Sequence, residues 1–214
     1  EPAKGPGTVT LTWASNGADY DTHFTTVPAA SGNIITYNVA DGATALSLTL
    51  VPENDSYFHE NYVVVFEITG TTGSVKKGTP DRLVVTITED ESPSFASFTI
   101  TDSVIPETQS EGITIPIALS IPASEVGSMT ISFTSATAVY GTHFTTVPAA
   151  SGSNIVLHVE KNSVAAELKI IPIDNSIYNP DKLIQFVISS GTGVVRPGGN
   201  INHILTITDD EPTL

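Results

Sequence analysis

The decapeptide "HFTTVPAASG" occupies His23–Gly32 and occurs again, letter for letter, at His143–Gly152. Ten identical residues at one offset mark an internal repeat, and a repeat sets architecture before any local pattern does. Carried along the chain, the 120-residue offset lays Val9–Ser92 over Met129–Pro212 without a gap, and more than a third of the positions match. The chain is a tandem duplication. At 214 residues it fits two domains of ordinary size, each able to bury a core of its own, with expected bounds of 1–92 and 93–214. The decapeptide itself falls between two apolar segments. Its Pro cannot donate to a ladder and its Gly suits a turn, so it is expected to be a long crossover loop at one end of each domain, kept for packing or for binding.

One asymmetry breaks the repeat. "FASFTITDSVIPETQSEGITIPIALS" (Phe95–Ser120) precedes the second copy, whereas Glu1 aligns with Ile121. The first domain is therefore expected to lack its opening two strands. The chain begins at Glu1 and not at Met, which gives the expectation of a mature or excised piece of a longer protein.

Period-two alternation dominates Val9–Ala14, Ile34–Val39, Ala45–Val51, Tyr62–Ile68 and Leu83–Thr88. These segments are rich in β-branched and aromatic residues and bounded by Gly, Pro, Asn, Asp or Ser, as half-buried strands are. Their partners in the second copy are Met129–Phe133, Ile155–Val159, Ala166–Ile171, Leu183–Ile188 and Ile204–Thr208, with Phe95–Thr101 and Ile113–Leu119 in front. Seven short antiparallel strands with regular turn signals predict an all-β fold of two tandem β-sandwiches. A first domain short of strands would leave sheet edges open, and an open edge invites strand-mediated self-association.

Acids outnumber bases 23 to 8, for a net charge of -15. A phosphate backbone or anionic bilayer would repel such a chain, which argues against nucleic acid as a partner. No apolar run approaches the roughly 18 residues of a membrane span, so direct membrane insertion is not expected. With no cysteine there is neither a disulfide frame nor thiol chemistry. No nucleophile elbow, phosphate-cradling glycine loop or zinc-binding histidine pair occurs, so no enzyme is expected. Trp13 alternates with the core face of its strand and is expected to pack inward, as is its counterpart Phe133.

Each repeat closes on acids, "TITEDE" (Thr86–Glu91) and "TITDDE" (Thr206–Glu211), and carries a polar acidic loop before its penultimate strand. Together with Ala138–Phe144 these stretches resemble the Calx-beta domain, over essentially the whole chain. The resemblance implies an immunoglobulin-like sandwich, found in tandem in exchanger regulatory loops and in secreted or surface proteins of bacteria, hence an extracellular or cell-surface location. It also implies calcium as the cofactor, held by carboxylates at one end of each sandwich, which suits a cation that takes six to eight oxygens. The matching positions are Asp55, Glu89, Asp90 and Glu91 in the first repeat and Asp174, Asp209, Asp210 and Glu211 in the second. Other family positions have changed, to His23, His59 and Tyr62 in the first repeat and to His143, Asn179 and Lys182 in the second. Nearby acids stand as substitutes: Asp19, Asp21, Glu53 and Glu60 in the first, Glu107, Glu111 and Asp181 in the second. A solvated acidic surface is the competing reading.

Two functions follow. One is a non-catalytic structural or adhesion module of a larger surface protein, touching protein or polysaccharide, stiffened by calcium near "EDESPSF" (Glu89–Phe95). The other is a carbohydrate-binding accessory module, which requires an exposed aromatic strip drawn from Trp13, Tyr20, Tyr57 and Tyr140.

Overall fold

Alternation is realised as burial. In the computed structural model, which describes residues 1–212, Ile35, Tyr37 and Val39 point inward from one strand and Ile155, Leu157 and Val159 from its twin, while the residues between them are exposed. The described residues form strands and turns with no helix. They divide into two compact units: Glu1–Ser56 with Glu60–Asp90, and Tyr57–His59 with the chain from Glu91 onward.

The second unit is a sandwich of two five-stranded sheets. Its strands are β7 (Ser94–Phe98), β8 (Asp102–Pro106), β9 (Ile113–Leu119), β10 (Gly127–Thr134), β11 (Phe144–Val147), β12 (Asn154–Val159), β13 (Ala165–Pro172), β14 (Lys182–Gly193), β15 (Val195–Pro197) and β16 (Asn202–Thr208), after six in the first unit. One sheet runs β12-β10-β14-β16-β8 and the other β11-β13-β9-β7-β15. Met129, Ile131, Phe144, Leu168, Ile184, Phe186 and Leu205 fill the space between them and are fully buried. Burying each such side chain contributes roughly 1.5–3 kcal/mol. Two pairings are parallel, β16 with β8 and β15 with β7, in an otherwise antiparallel framework.

The first unit has β1 (Gly7–Ser15), β2 (Phe24–Val27), β3 (Ile34–Val39), β4 (Thr49–Pro52), β5 (Tyr62–Gly73) and β6 (Arg82–Ile87). A sheet β3-β1-β5-β6 faces a two-stranded sheet β2-β4. The duplication extends to fine detail. The register of β1 on β5 shifts between Thr10 and Leu11, and that of β10 on β14 between Thr130 and Ile131, the same bulge in each copy. Gly73 (φ 65°) and Gly193 (φ 59°) both turn out of their long strands left-handed, and a Cβ on either would strike a backbone carbonyl, that of Pro6 or of Val126.

Three sequence expectations are corrected. The opening segment of the second unit folds as three strands, β7, β8 and β9, where two were expected, and none of the three has a counterpart in the first unit. The stretch Ala45–Val51 is strand only from Thr49, because β9, the strand that pairs with its twin over Ala165–Ile170, has no counterpart there. The decapeptide is not all loop. Phe24–Val27 and Phe144–Val147 are strands, paired with β4 and β13.

That pairing explains why the decapeptide was copied whole. Phe24 and Phe144 are fully buried. The Tyr20 hydroxyl accepts the N–H of Ala30 at 2.9 Å, the Tyr140 hydroxyl that of Ala150 at 3.0 Å, and Thr26 and Thr146 each donate to the carbonyl two residues on at 2.8 Å. The segment packs one ring and closes its own polar groups, which is a structural role.

Candidate metal centre

Three strand ends converge in the second unit. β8 and β16 run parallel, so their C-terminal ends must lie side by side, and the Glu107 N–H continues their ladder to the Thr208 carbonyl at 3.0 Å. Glu107 follows β8, Asp209–Glu211 follow β16, and Asp174 and Asn175 follow β13. Glu107, Asp174, Asp210 and Glu211 each bring a carboxylate oxygen within 4.8 Å of the others.

Glu107 is the unusual member, for it is only 6% exposed. Asn175 Nδ2 donates to its Oε2 at 3.1 Å, while Oε1 accepts nothing from the protein. Burial above all, then its contact with Glu211 and the charges of Glu211, Asp209 and Asp174, push the Glu107 carboxyl up from 4.5 to about 7. Asp209 Oδ1 accepts the Asn179 N–H at 2.8 Å, and its Oδ2 and the Glu211 Oε2 are also buried without a donor. Two like charges 4.8 Å apart repel by about 3 kcal/mol at an effective dielectric of about 20, so the fully ionised group is unstable without a counter-charge. A proton or a cation relieves it.

His143 and Asn179, where the sequence departs from the resemblance, and the nearby acid Asp181 make other bonds. His143 Nδ1 accepts the Val139 N–H at 2.8 Å, which turns the ring toward its own loop. Asn179 Nδ2 donates to the Ile177 carbonyl at 2.6 Å, and Asp181 accepts the Asp209 N–H at 3.4 Å. Glu111 is exposed and outside the group. The sequence named Glu107 as a substitute; that it is the buried centre follows from the parallel pairing, which has no local signal.

The first unit differs. Of the closing acids Glu89, Asp90 and Glu91, which are consecutive after β6, the first unit itself holds only the first two. No counterpart of Glu107 exists there. Instead the Tyr62 hydroxyl meets His23 Nε2 at 3.2 Å, and burial followed by the charges of Asp55, Glu89 and Asp19 raises the tyrosine. His23 Nδ1 accepts the Asp19 N–H at 2.8 Å. Asp55, Asp19, Asp21, Glu53 and Glu60 join no metal-sized group among the described residues.

Comparison with known proteins gives structural neighbours. The chain is similar to calcium-binding domains of Calx. The apo form of the Calx CBD1 domain matches 56% of this chain and 99% of its own, at 16% identity and a TM-score of 0.46. CBD12 from CALX1.2 matches 97% of this chain and 90% of its own, at 12% identity and a TM-score of 0.41. The Calx CBD2 domain matches 54% of this chain and 86% of its own, at 12% identity and 0.45. No family model and no curated protein matches.

Proposed function

We propose that the chain is a non-catalytic structural or adhesion module of a secreted or cell-surface protein, and that its second unit takes calcium at the end where Glu107, Asp174, Asp210 and Glu211 meet. The observation that carries the reading is the buried Glu107 carboxylate, whose Oε1 has no donor inside a group of like charges. The donor set is all oxygen, which suits a hard cation, and several donors on loops of unequal exposure suit the irregular shell of calcium better than the strict octahedron of magnesium. Bound calcium would supply the positive charge that these carboxylates lack. Asn175 orients Glu107, and the Asn179 N–H fixes Asp209 beside it.

The aromatic residues favour this reading over a carbohydrate site. Trp13 and Tyr20 stack on each other and meet Phe24 edge to face, Tyr140 packs on Phe133 and Phe144, and all three are half-buried against their cores. Tyr57, 43% exposed, has the Lys161 ammonium over its ring. None of Trp13, Tyr20 and Tyr140 is fully exposed to offer a ring to a sugar.

The test is calcium titration of the metal-stripped protein, followed by calorimetry, with magnesium as control. A site of ~10⁻⁴ M filled at about a hundred times its dissociation constant adds ~2.7 kcal/mol, a rise of several degrees in the second unit. No calcium-specific rise by about 10 mM would leave the acids as a solvated surface.

A further inference from the structure

We propose that the open face of the first unit is an acceptor for an added segment with the strand chemistry of β7–β9: extended, with branched apolar residues at alternate positions. The second unit supplies the template. There β9 lies antiparallel on β13 from Ala165 to Ile170 with Ile115, Ile117 and Leu119 inward, and β8 lies parallel on β16 with Ile105 inward. The repeat offset puts Ala45–Leu50 in the place of Ala165–Ile170 and Arg82–Ile87 in that of Asn202–Ile207.

The first unit has kept the side chains that such strands would cover. Leu48, Leu50, Ile68, Val75, Val85 and Ile87 are half-buried, whereas their counterparts Leu168, Ile170, Ile188, Val195, Leu205 and Ile207 are all buried. Leu83 is 52% exposed where His203 is 0%. His203 is covered because Ser103 of β8 and the Ile100 carbonyl bond its two nitrogens. A cavity of about 460 Å³ opens on this face, lined by Val9, Val39, Leu46, Ile68 and Val75 among others. Ala45–Leu48 carries strand alternation and is not strand, the behaviour of an edge awaiting its neighbour.

Side-chain pattern, not charge, selects the occupant. Lys4, Lys76 and Lys77 rim the cavity together with Glu1, but Lys4 lies 3.4 Å from Glu1 and Lys77 2.6 Å from Asp81, so acids of the unit itself already face two of the three. The template segment covers its own face with Ile105, Ile115, Ile117 and Leu119, all buried. A whole second copy is a poorer donor. Its own β7–β9 already pairs on β13 and β16, and donating it would open that core.

The probe is a synthetic peptide of residues 93–120 added to the intact chain, with hydrogen exchange, calorimetry and sedimentation as readouts. The expected result is saturable one-to-one binding, new protection of the amides of Ala45–Leu48 and Leu83–Ile87, and a rise in the melting of the first unit alone. A peptide carrying Ile115→Asp and Ile117→Asp is expected not to bind. No saturation by about 1 mM peptide overturns the proposal, as does equal binding of the aspartate peptide. Protection at Ala165–Leu168 would mean exchange into the second unit, and dimers of the chain alone with Ala45–Leu48 protected would mean a second copy is the occupant. Either result overturns it.

Discussion

Replacing Glu107 by Gln isolates the electrostatic burden of the acidic end. In the unfolded chain this carboxyl titrates near 4.5, and in the fold burial and its acidic neighbours push it up to about 7. The folded state therefore binds the proton more tightly. Stability is full below the unfolded value, falls as pH rises through the window from 4.5 to about 7, and is flat above it. At about 1.4 kcal/mol for each tenfold difference in proton affinity, that window corresponds to about 3 kcal/mol. The substituted amide has no charge to bury and keeps an acceptor for Asn175 Nδ2. Metal-stripped Glu107→Gln should match the parent near pH 4 and exceed it by up to about 3 kcal/mol at pH 8, or about 10 °C in the melting of the second unit. Calorimetry across pH 4–8 in chelator is the assay. The sole tryptophan, Trp13, lies in the first unit and gives its fluorescence as an independent reference. Calcium should flatten the slope of the parent protein and do little for the variant. A parent protein of constant stability from pH 5 to pH 8 in chelator, with no gain from Glu107→Gln, would refute the crowding of these carboxylates.

Three further outcomes test the packing. Phe144→Ala empties a fully buried position and should cost about 3–5 kcal/mol in the second unit, measured by calorimetry. Tyr140→Phe leaves the ring in place and removes the acceptor of the Ala150 N–H; a loss of about 1 kcal/mol in urea unfolding is expected, with unchanged circular dichroism. Gly193→Ala must hold a left-handed backbone with its Cβ against the Val126 carbonyl, so it should destabilise by more than the roughly 1 kcal/mol of the backbone term alone, read as a lower midpoint in urea.

The strands were legible because alternation and β-branching are local. Ile34–Val39 is strand from end to end, since each residue's facing was written in its own side chain. Phe144–Val147 was not legible. Four residues before a proline carry too little period, and their strand state comes from β13 across the sheet. Ala45–Leu48 shows the reverse: the pattern is present and the partner is not. At the acidic end, Asp210 and Glu211 could be read from the closing run, whereas Asn175 as the donor to Glu107 depends on two loops meeting far apart in sequence.

The parallel pairing of β8 with β16 also bears on mechanics. One strand lies near the start of the second unit and the other at its end, and they run side by side over Asp102–Pro106 and Ile204–Thr208. Tension applied through the chain on either side would pull them past each other, loading their cross-strand bonds together in shear rather than opening them one at a time. β6 of the first unit has no such neighbour on its outer edge. Under stretching, the first unit would yield early and extend, and the second would bear the load.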